Sequence, residues 1–530
     1  MSVDADLLAA RKLLEAGDLQ RAASTCLAAL RQHPNHVPAI ELYARIAERL
    51  RRFDEAQIIY QKLLQAAPSN VLAHERLGLL YLEQGDHRRA GAHAQQALTL
   101  DPRLVSPCIV LGSLALLQGK VEHGDAFFAQ ALEHTADAAA VQRTYANALL
   151  TAGEFERAAE LLRSLIVKAP DEAHYHELLS RAADLENSEQ DANLILALLG
   201  EDGDLRAEIR RSPQRSPAAW HALHKLFDVR GDHPRAFQSL ESAKAIRRDA
   251  ANFDLAQQVR VHAALASVFS PEFVQSHREA GCMAEDAIFV VGMPRAGTTL
   301  LERVLATDEE VAAGGELPIV QRLLQEACAA VGTHQDDYAA LGRLPRELWR
   351  QLGEEYIKRA RAQVPAGRYF VDKDPGNTFL LGFIRTMLPR ARIIHSVRHP
   401  AATCLSIYEQ NFLHGHDYAV NLQSLGEYYL HYNDVIGYWK SLYPDDIIDM
   451  HYEALVSDGD RALETLRQRL QLNAVSFSLE ADRNGGEIRT ASVRQARQQV
   501  HTQSMDRWHN YRVQLQPLLT VLAPLLQEPG

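Results

Sequence analysis

Basic charge, cysteine and long apolar runs are all scarce in this 530-residue sequence, and each shortage removes a class of function. Fifty-six lysines and arginines face 68 aspartates and glutamates, for a net charge of −12. A chain that mainly served nucleic acid would need a basic surface to neutralise phosphates, so only a local basic pocket is left open. The five cysteines (Cys26, Cys108, Cys282, Cys328 and Cys404) are scattered and odd in number, with no pair at a metal-ligand spacing, which fits a reducing compartment. The 23 histidines show no HExxH spacing and no cysteine partners, so no metal is expected. No apolar run nears the roughly 20 residues that span a bilayer. The opening "MSVDADLLAARKLLEAGDL" carries acidic residues where a signal peptide is basic. The expectation is a cytoplasmic protein without a membrane span.

What is present is a repeat. Gly17, Arg51, Gly85, Gly119 and Gly153 follow one another at intervals of 34 residues, and five positions after each lie Ala22, Ala56, Ala90, Gly124 and Ala158. Pro34, Pro68, Pro102 and Pro170 close four of the five units, with Ala136 in the remaining place. The pattern describes two antiparallel helices per unit: glycine allows the tight turn, the small residue lets the helices approach, and proline stops the second helix. Units such as "AHERLGLLYLEQGDHRRAGAHAQQALTLDP" resemble tetratricopeptide repeats. A further unit, "SPAAWHALHKLFDVRGDHPRAFQSLESAKAI", returns with Trp220, Leu223, Gly231, Ala236 and Ala243 in the expected places. Residues 171–215 read as a degenerate or displaced unit. Such pairs stack into a superhelix with a concave surface suited to a peptide or protein. The alternative is that the array only supports folding or oligomerisation of the second half.

The repeat signal ends near residue 250. "FDLAQQVRVHAALASVF" reads as one amphipathic helix and "SPEFVQSHREAGCMAED" as an irregular connector. After Asp286, short apolar runs ("AIFVV", "RYFVD", "ARIIHSV", "DIIDM") alternate with helical stretches, which implies a parallel sheet covered on both faces with ligands at the carboxyl ends of its strands. The organisation is therefore a repeat superhelix at 3–250 (clear at 3–170 and 216–249), a connecting helix and linker at 251–285, and an α/β three-layer domain at 286–530.

"IFVVGMPRAGTTLL" lies at one such strand end. Gly292 and Gly297 let backbone N–H groups converge on an anion, and Thr298 and Thr299 open a helix whose N-terminus carries roughly half a positive charge. Nucleotide hydrolases place a lysine where Thr298 stands; here Arg295 supplies the charge from inside a P-loop-like turn, which argues against triphosphate hydrolysis. "ARIIHSVRHPAATCLSIYEQN" repeats the theme, with Arg398 at a strand end and Ser406 on the helix begun by Pro400. The two stretches together suit a nucleotide with two separated phosphate groups.

These stretches resemble the phosphosulfate-binding motifs of sulfotransferases that use 3′-phosphoadenosine 5′-phosphosulfate. The region of about 286–512 is similar to the tyrosylprotein sulfotransferases, on "PRAGTTLLERVLATDEEVAAGGE", "DKDPGNTFLLGFI", "SVRHPAATCLSIY" and "IRTASVRQARQQVHTQSMDRWHNY". The resemblance implies that Arg295, Ala296, Gly297, Thr298 and Thr299 surround the 5′ phosphosulfate and that Arg398 and Ser406 hold the 3′ phosphate. Tyr452, Ser492 and Arg507 would complete the pocket. It also implies that Glu316, in "AAGGELP", is the base for an acceptor hydroxyl, although a first-turn helix carboxylate is the plainer reading of that residue. Lys373 in "YFVDKDPGN" would neutralise the transferring and leaving oxygens together with Arg295, or else form a salt bridge with Asp372 or Asp374. Asn377 receives no role, and His399 is read as packing.

The animal enzymes of that family carry a membrane anchor and basic residues after the glutamate. Here no anchor is evident, and Leu317 and Pro318 follow Glu316, so a preference for acidic peptides does not carry over. Three functions remain in view: sulfuryl transfer to a peptide or protein tyrosine held by the array; transfer to a small phenol, carbohydrate or lipid hydroxyl; and a non-catalytic repeat scaffold. Members of the family often pair, which leaves a homodimer open.

Overall fold

The computed structural model describes residues 3–199, 217–248, 251–332, 337–412, 415–472, 476–479 and 503–526. The chain divides into two compact units, Met1–Ala152 and Gly153–Gly530.

The first unit is entirely helical. Four hairpins run Val3–Glu15 with Leu19–Gln32, Val37–Arg49 with Phe53–Ala66, Val71–Glu83 with His87–Leu100, and Val105–Leu117 with Val121–His134, before the single helix Ala138–Ala152. The turn positions are left-handed as the 34-residue period requires, with φ of 80° at Gly17, 72° at Gly85 and 72° at Gly119. Arg51 adopts the same conformation at φ 59° without the freedom of glycine. Ala22, Ala56 and Ala90 are fully buried at the helix crossings. At Gly124 even a methyl group would stand 2.6 Å from the Leu116 side chain, which explains glycine there.

The second unit begins with further helices, including a shortened pair Ala173–Ala182 and Glu189–Leu196 in the region read as degenerate. The hairpin Pro217–Val229 with His233–Arg248 follows, turning at Gly231 with φ 74°. It belongs to the same compact unit as the sheet, so the division of the chain falls well before residue 250. The amphipathic helix is found at Leu255–Val268. The expected irregular connector instead holds a short helix, Pro271–His277, because Ser270 accepts the Phe273 N–H at 3.3 Å and Pro271 presets the first turn.

Five strands form one parallel sheet: β1 Ala287–Gly292, β2 Val311–Ala313, β3 Tyr369–Lys373, β4 Arg392–Val397 and β5 Ile447–His451, in the order β2-β3-β1-β4-β5. Every residue of β1 is buried, as a central parallel strand covered on both faces must be. One face packs Ile288, Val290 and Ile394 against Leu301, Val304, Leu463 and Leu466 from helices Thr298–Leu305 and Gly459–Arg469. On the other, Phe289 and Phe370 pack on Tyr356 of the helix Arg346–Arg361. The chain leaves β3 on one side of β1 and enters β4 on the other. This reversal opens a crevice at the carboxyl ends of β1 and β4, where parallel sheets bind ligands.

Candidate active site

The β1 loop is shaped by three unusual backbones. Gly292 has φ 148° and passes so close to β4 that an added Cβ would lie 2.6 Å from the Ser396 carbonyl oxygen. Gly297 caps the helix Thr298–Leu305 at φ 100°, where a Cβ would meet the Tyr452 ring at 2.7 Å. Arg295 takes φ 68° despite its side chain, a strained conformation of the kind held in place at functional sites.

Its surroundings hold Arg295 there. Nε donates to Ser406 Oγ at 3.0 Å, and its carbonyl accepts from Arg398 Nη1 at 3.2 Å. The residues at the ends of β1 and β4 that the sequence set on opposite phosphates are thus direct neighbours. Burial, with the charge of Arg398 adding, pulls the Arg295 guanidinium down to about 10, so it remains a cation at neutral pH. The Arg398 guanidinium lies 4.8 Å from the Tyr452 ring centroid. Burial holds it below its ordinary range as well. Two guanidiniums removed from water beside a helix N-terminus are the kind of donor set that suits an anion.

Buried polar groups brace the loop from behind. Gly292 N–H donates to Thr378 Oγ1 at 3.0 Å, and Ser396 Oγ donates to the Ala296 carbonyl at 2.9 Å. The Met293 N–H reaches the Tyr432 oxygen. Tyr432 is bonded in turn to His395 Nε2, whose Nδ1 lies 2.7 Å from Asp449 Oδ1, with Lys440 on Asp449 at 2.7 Å. An ionised carboxylate only accepts, so His395 carries its proton on Nδ1 and Tyr432 donates to Nε2. Sequence reading missed this relay, because Met293, Tyr432, His395 and Asp449 come from four separate elements.

Beside the loop, β3 ends at Lys373 and the β2 turn delivers Glu316. The turn needs its glycines: at Gly314 a Cβ would lie 2.5 Å from the Val371 carbonyl oxygen, and Gly315 has φ 67°. Gly315 N–H donates to Glu302 Oε1 at 2.7 Å, and its carbonyl accepts the Lys373 N–H at 2.9 Å. Lys373 Nζ then meets Glu316 Oε1 at 2.6 Å. Glu316 precedes the helix Ile319–Val331, outside its first turn.

The neighbouring aspartates are engaged elsewhere. Asp372 is fully buried and accepts from the Tyr356 hydroxyl at 2.7 Å and from Asn377 Nδ2 at 3.4 Å. Burial pushes it well above the usual carboxylate range. Asp374 accepts the Gly376 N–H at 2.8 Å, and burial, with the Glu316 charge contributing, pushes it up to about 6.

The C-terminal residues divide. Tyr452 stands against Gly297 and under Arg398. Ser492 lies outside the described residues. Arg507 is bound by two carboxylates, Glu409 and Asp228. His399 packs on Trp508, with ring centroids 4.9 Å apart. Among the described residues no group of three or more His, Cys, Asp or Glu side chains is placed to hold a metal ion, and no helix is long and apolar enough to cross a membrane.

Comparison with known proteins divides along the same lines. Residues 287–476 match the model of the sulfotransferase family, and tetratricopeptide repeat models match residues 7–71, 42–104 and 115–182. An uncharacterized protein of Aquifex aeolicus (strain VF5) is 28% identical over 316 residues, which make up 58% of this chain and 42% of its own length. The chain thus spans less than half of that relative. Protein-tyrosine sulfotransferase 1 of Danio rerio is 24% identical over 280 residues, 46% of this chain and 71% of that protein. A solved tetratricopeptide repeat protein from Parabacteroides merdae is 18% identical, covering 46% of this chain and 93% of its own, at a TM-score of 0.35. The chain carries tetratricopeptide repeats followed by a parallel-sheet domain that matches the sulfotransferase family model over residues 287–476.

Proposed function

We propose that this protein transfers the sulfuryl group of 3′-phosphoadenosine 5′-phosphosulfate to a hydroxyl, with tyrosine of a peptide or protein as the acceptor. The observation that carries the reading is the meeting of Arg295, Arg398 and Ser406 at the β1–β4 crevice, beside the Lys373–Glu316 pair at the end of β3. The donor supplies an activated sulfuryl group with a nucleotide leaving group.

The residues fit such a donor. The loop 295–299 presents N–H groups and a helix N-terminus to an anion, Arg398 and Ser406 offer a second set of donors, and the Tyr452 ring stands close to both Gly297 and Arg398. Glu316, with half its side chain exposed, takes the acceptor proton; a phenol of pKa about 10 is roughly 0.1% ionised at pH 7, so a positioned base matters. Lys373 presents a fixed ammonium where negative charge builds on the departing oxygen. Leu317, buried, and Pro318 follow Glu316, so no basic residue stands there to draw acidic residues around an acceptor tyrosine. That observation keeps a small phenol, carbohydrate or lipid hydroxyl as the second reading.

Transfer of labelled sulfate to tyrosine peptides, small phenols and glycans separates the two. Labelled peptides support the first reading; a labelled glycan or phenol with untouched peptides selects the second.

A further inference from the structure

Arg507 sits in the motif tied to the donor pocket, yet its donors are directed at protein carboxylates. Nη1 and Nη2 reach the two oxygens of Glu409 at 2.8 and 2.5 Å, and Nη2 also reaches Asp228 Oδ2 at 2.8 Å. The Tyr511 hydroxyl fixes Asp228 at 2.6 Å, and His224 Nε2 stands 3.5 Å from Glu409 Oε1. Only about a tenth of either carboxylate is exposed, at 10% for Glu409 and 9% for Asp228. Both carboxylates are therefore largely buried against the Arg507 guanidinium.

Glu409 ends the helix Pro400–Tyr408, three residues beyond Ser406, the hydroxyl that receives the Arg295 Nε–H. Its charge attracts Arg295 and Arg398 as well as Arg507. A pocket suited to phosphate thus contains an internal anion, paired with Arg507 and three residues along the chain from the Ser406 hydroxyl that Arg295 engages. Bidentate pairing takes up the fork of Arg507, the geometry that would otherwise suit a phosphate.

Resting on the reading of this crevice as a donor site, we propose that Glu409 is a counter-anion that limits the pocket's hold on the 3′-phosphate. It does so by occupying Arg507 and by repelling the bound anion, so that the bisphosphate left after transfer is released. Asp228, from the helix Pro217–Val229, is the positioning residue that anchors Arg507 on its other side.

The test uses the full chain and calorimetry with 3′,5′-adenosine bisphosphate and with adenosine 5′-phosphosulfate, which lacks the 3′-phosphate. Glu409→Gln keeps an oxygen for Arg507 but removes the charge. It should tighten bisphosphate binding about tenfold and steepen its salt dependence, with little change for the 5′-phosphosulfate. A merely structural Glu409 predicts the opposite sign, and weaker or unchanged bisphosphate binding overturns the proposal. Asp228→Asn leaves the Glu409–Arg507 pair in place and should tighten binding two- to threefold; no tightening there counts against it too. A wild-type chain that does not prefer the bisphosphate overturns the donor-site reading and the proposal together. A wild-type chain that does prefer it, with variants that bind no tighter, overturns the proposal alone.

Discussion

Lys373 and Glu316 form an ion pair of 2.6 Å whose two ends sit in different surroundings, the lysine side chain 1% exposed and the glutamate 50%. Burying an ammonium without an anion is strongly unfavourable, so the pair fixes both the charge and the position of Lys373. The carboxylate side chain is half exposed, with Oε1 on Lys373. On the proposed reading, the buried partner stays fixed while the exposed one faces the acceptor, the division of labour that transfer to a hydroxyl needs.

Glu316→Gln tests the exposed partner. Glutamine can still accept a hydrogen bond from Lys373 and keeps the side chain's size, while the base is lost and the buried ammonium loses its counter-charge. Turnover should fall by about 10²- to 10⁴-fold, with binding of 3′,5′-adenosine bisphosphate near normal. Full activity in this variant, measured by sulfate transfer, would remove Glu316 from the mechanism.

Lys373→Met tests the buried partner. Methionine fills the same space without charge, and Glu316 is exposed enough to lose its partner at modest cost. If Lys373 stabilises charge that develops only during transfer, kcat should drop on the order of 100-fold while nucleotide binding changes little. A loss seen only in KM would make it a binding residue instead.

Gly297 is needed for both conformation and space. Alanine at φ 100° carries a strain on the order of 1–2 kcal/mol, and its methyl group would press on the Tyr452 ring, which Arg398 also contacts. Gly297→Ala should therefore lower the melting temperature and weaken bisphosphate binding about tenfold or more. Unchanged binding would show that the loop does not contact the nucleotide.

Much of this was legible in the sequence, for reasons that differ by element. The repeat period located every left-handed turn in the first unit, including Arg51, because position in the period carries the information even where glycine is absent. The strands β1, β3, β4 and β5 announce themselves as apolar runs because both faces of the sheet are covered. The three-residue β2 is too short to show a pattern, and the helix Pro271–His277 is a single capped turn or two. Arg295 and Arg398 were visible as charges at strand ends, but their mutual contact was not. The surroundings of Arg507 were out of reach, since Glu409 and Asp228 lie 98 and 279 residues away in the chain. The hairpin at 217–248 reads as one more repeat because its periodicity is local, whereas its attachment to the sheet domain depends on single polar residues such as Lys244.

Lys244 offers a test of that attachment. Its side chain is 1% exposed, its Nζ donates to the Gln410 carbonyl at 2.9 Å, and the Tyr408 ring centroid lies 5.1 Å away. Burial, reinforced by Arg247 and opposed by Glu409 and Glu241, brings the amine down to about 7 from the ordinary 10.5. The unfolded chain therefore binds more protons than the folded one between these values, so this group makes stability rise with pH from about 7 upward. Below pH 7 both states are protonated and its contribution is constant. All four tryptophans (Trp220, Trp349, Trp439 and Trp508) lie beyond Gly153, so fluorescence-detected unfolding in denaturant reports the second unit. Relative to Lys244→Met, the wild type should gain stability between pH 7 and 9, at most about 1.4 kcal/mol per pH unit. A difference between the two proteins that stays flat across this range would mean that the lysine keeps its proton in the folded state, with Glu409 and Glu241 outweighing its burial.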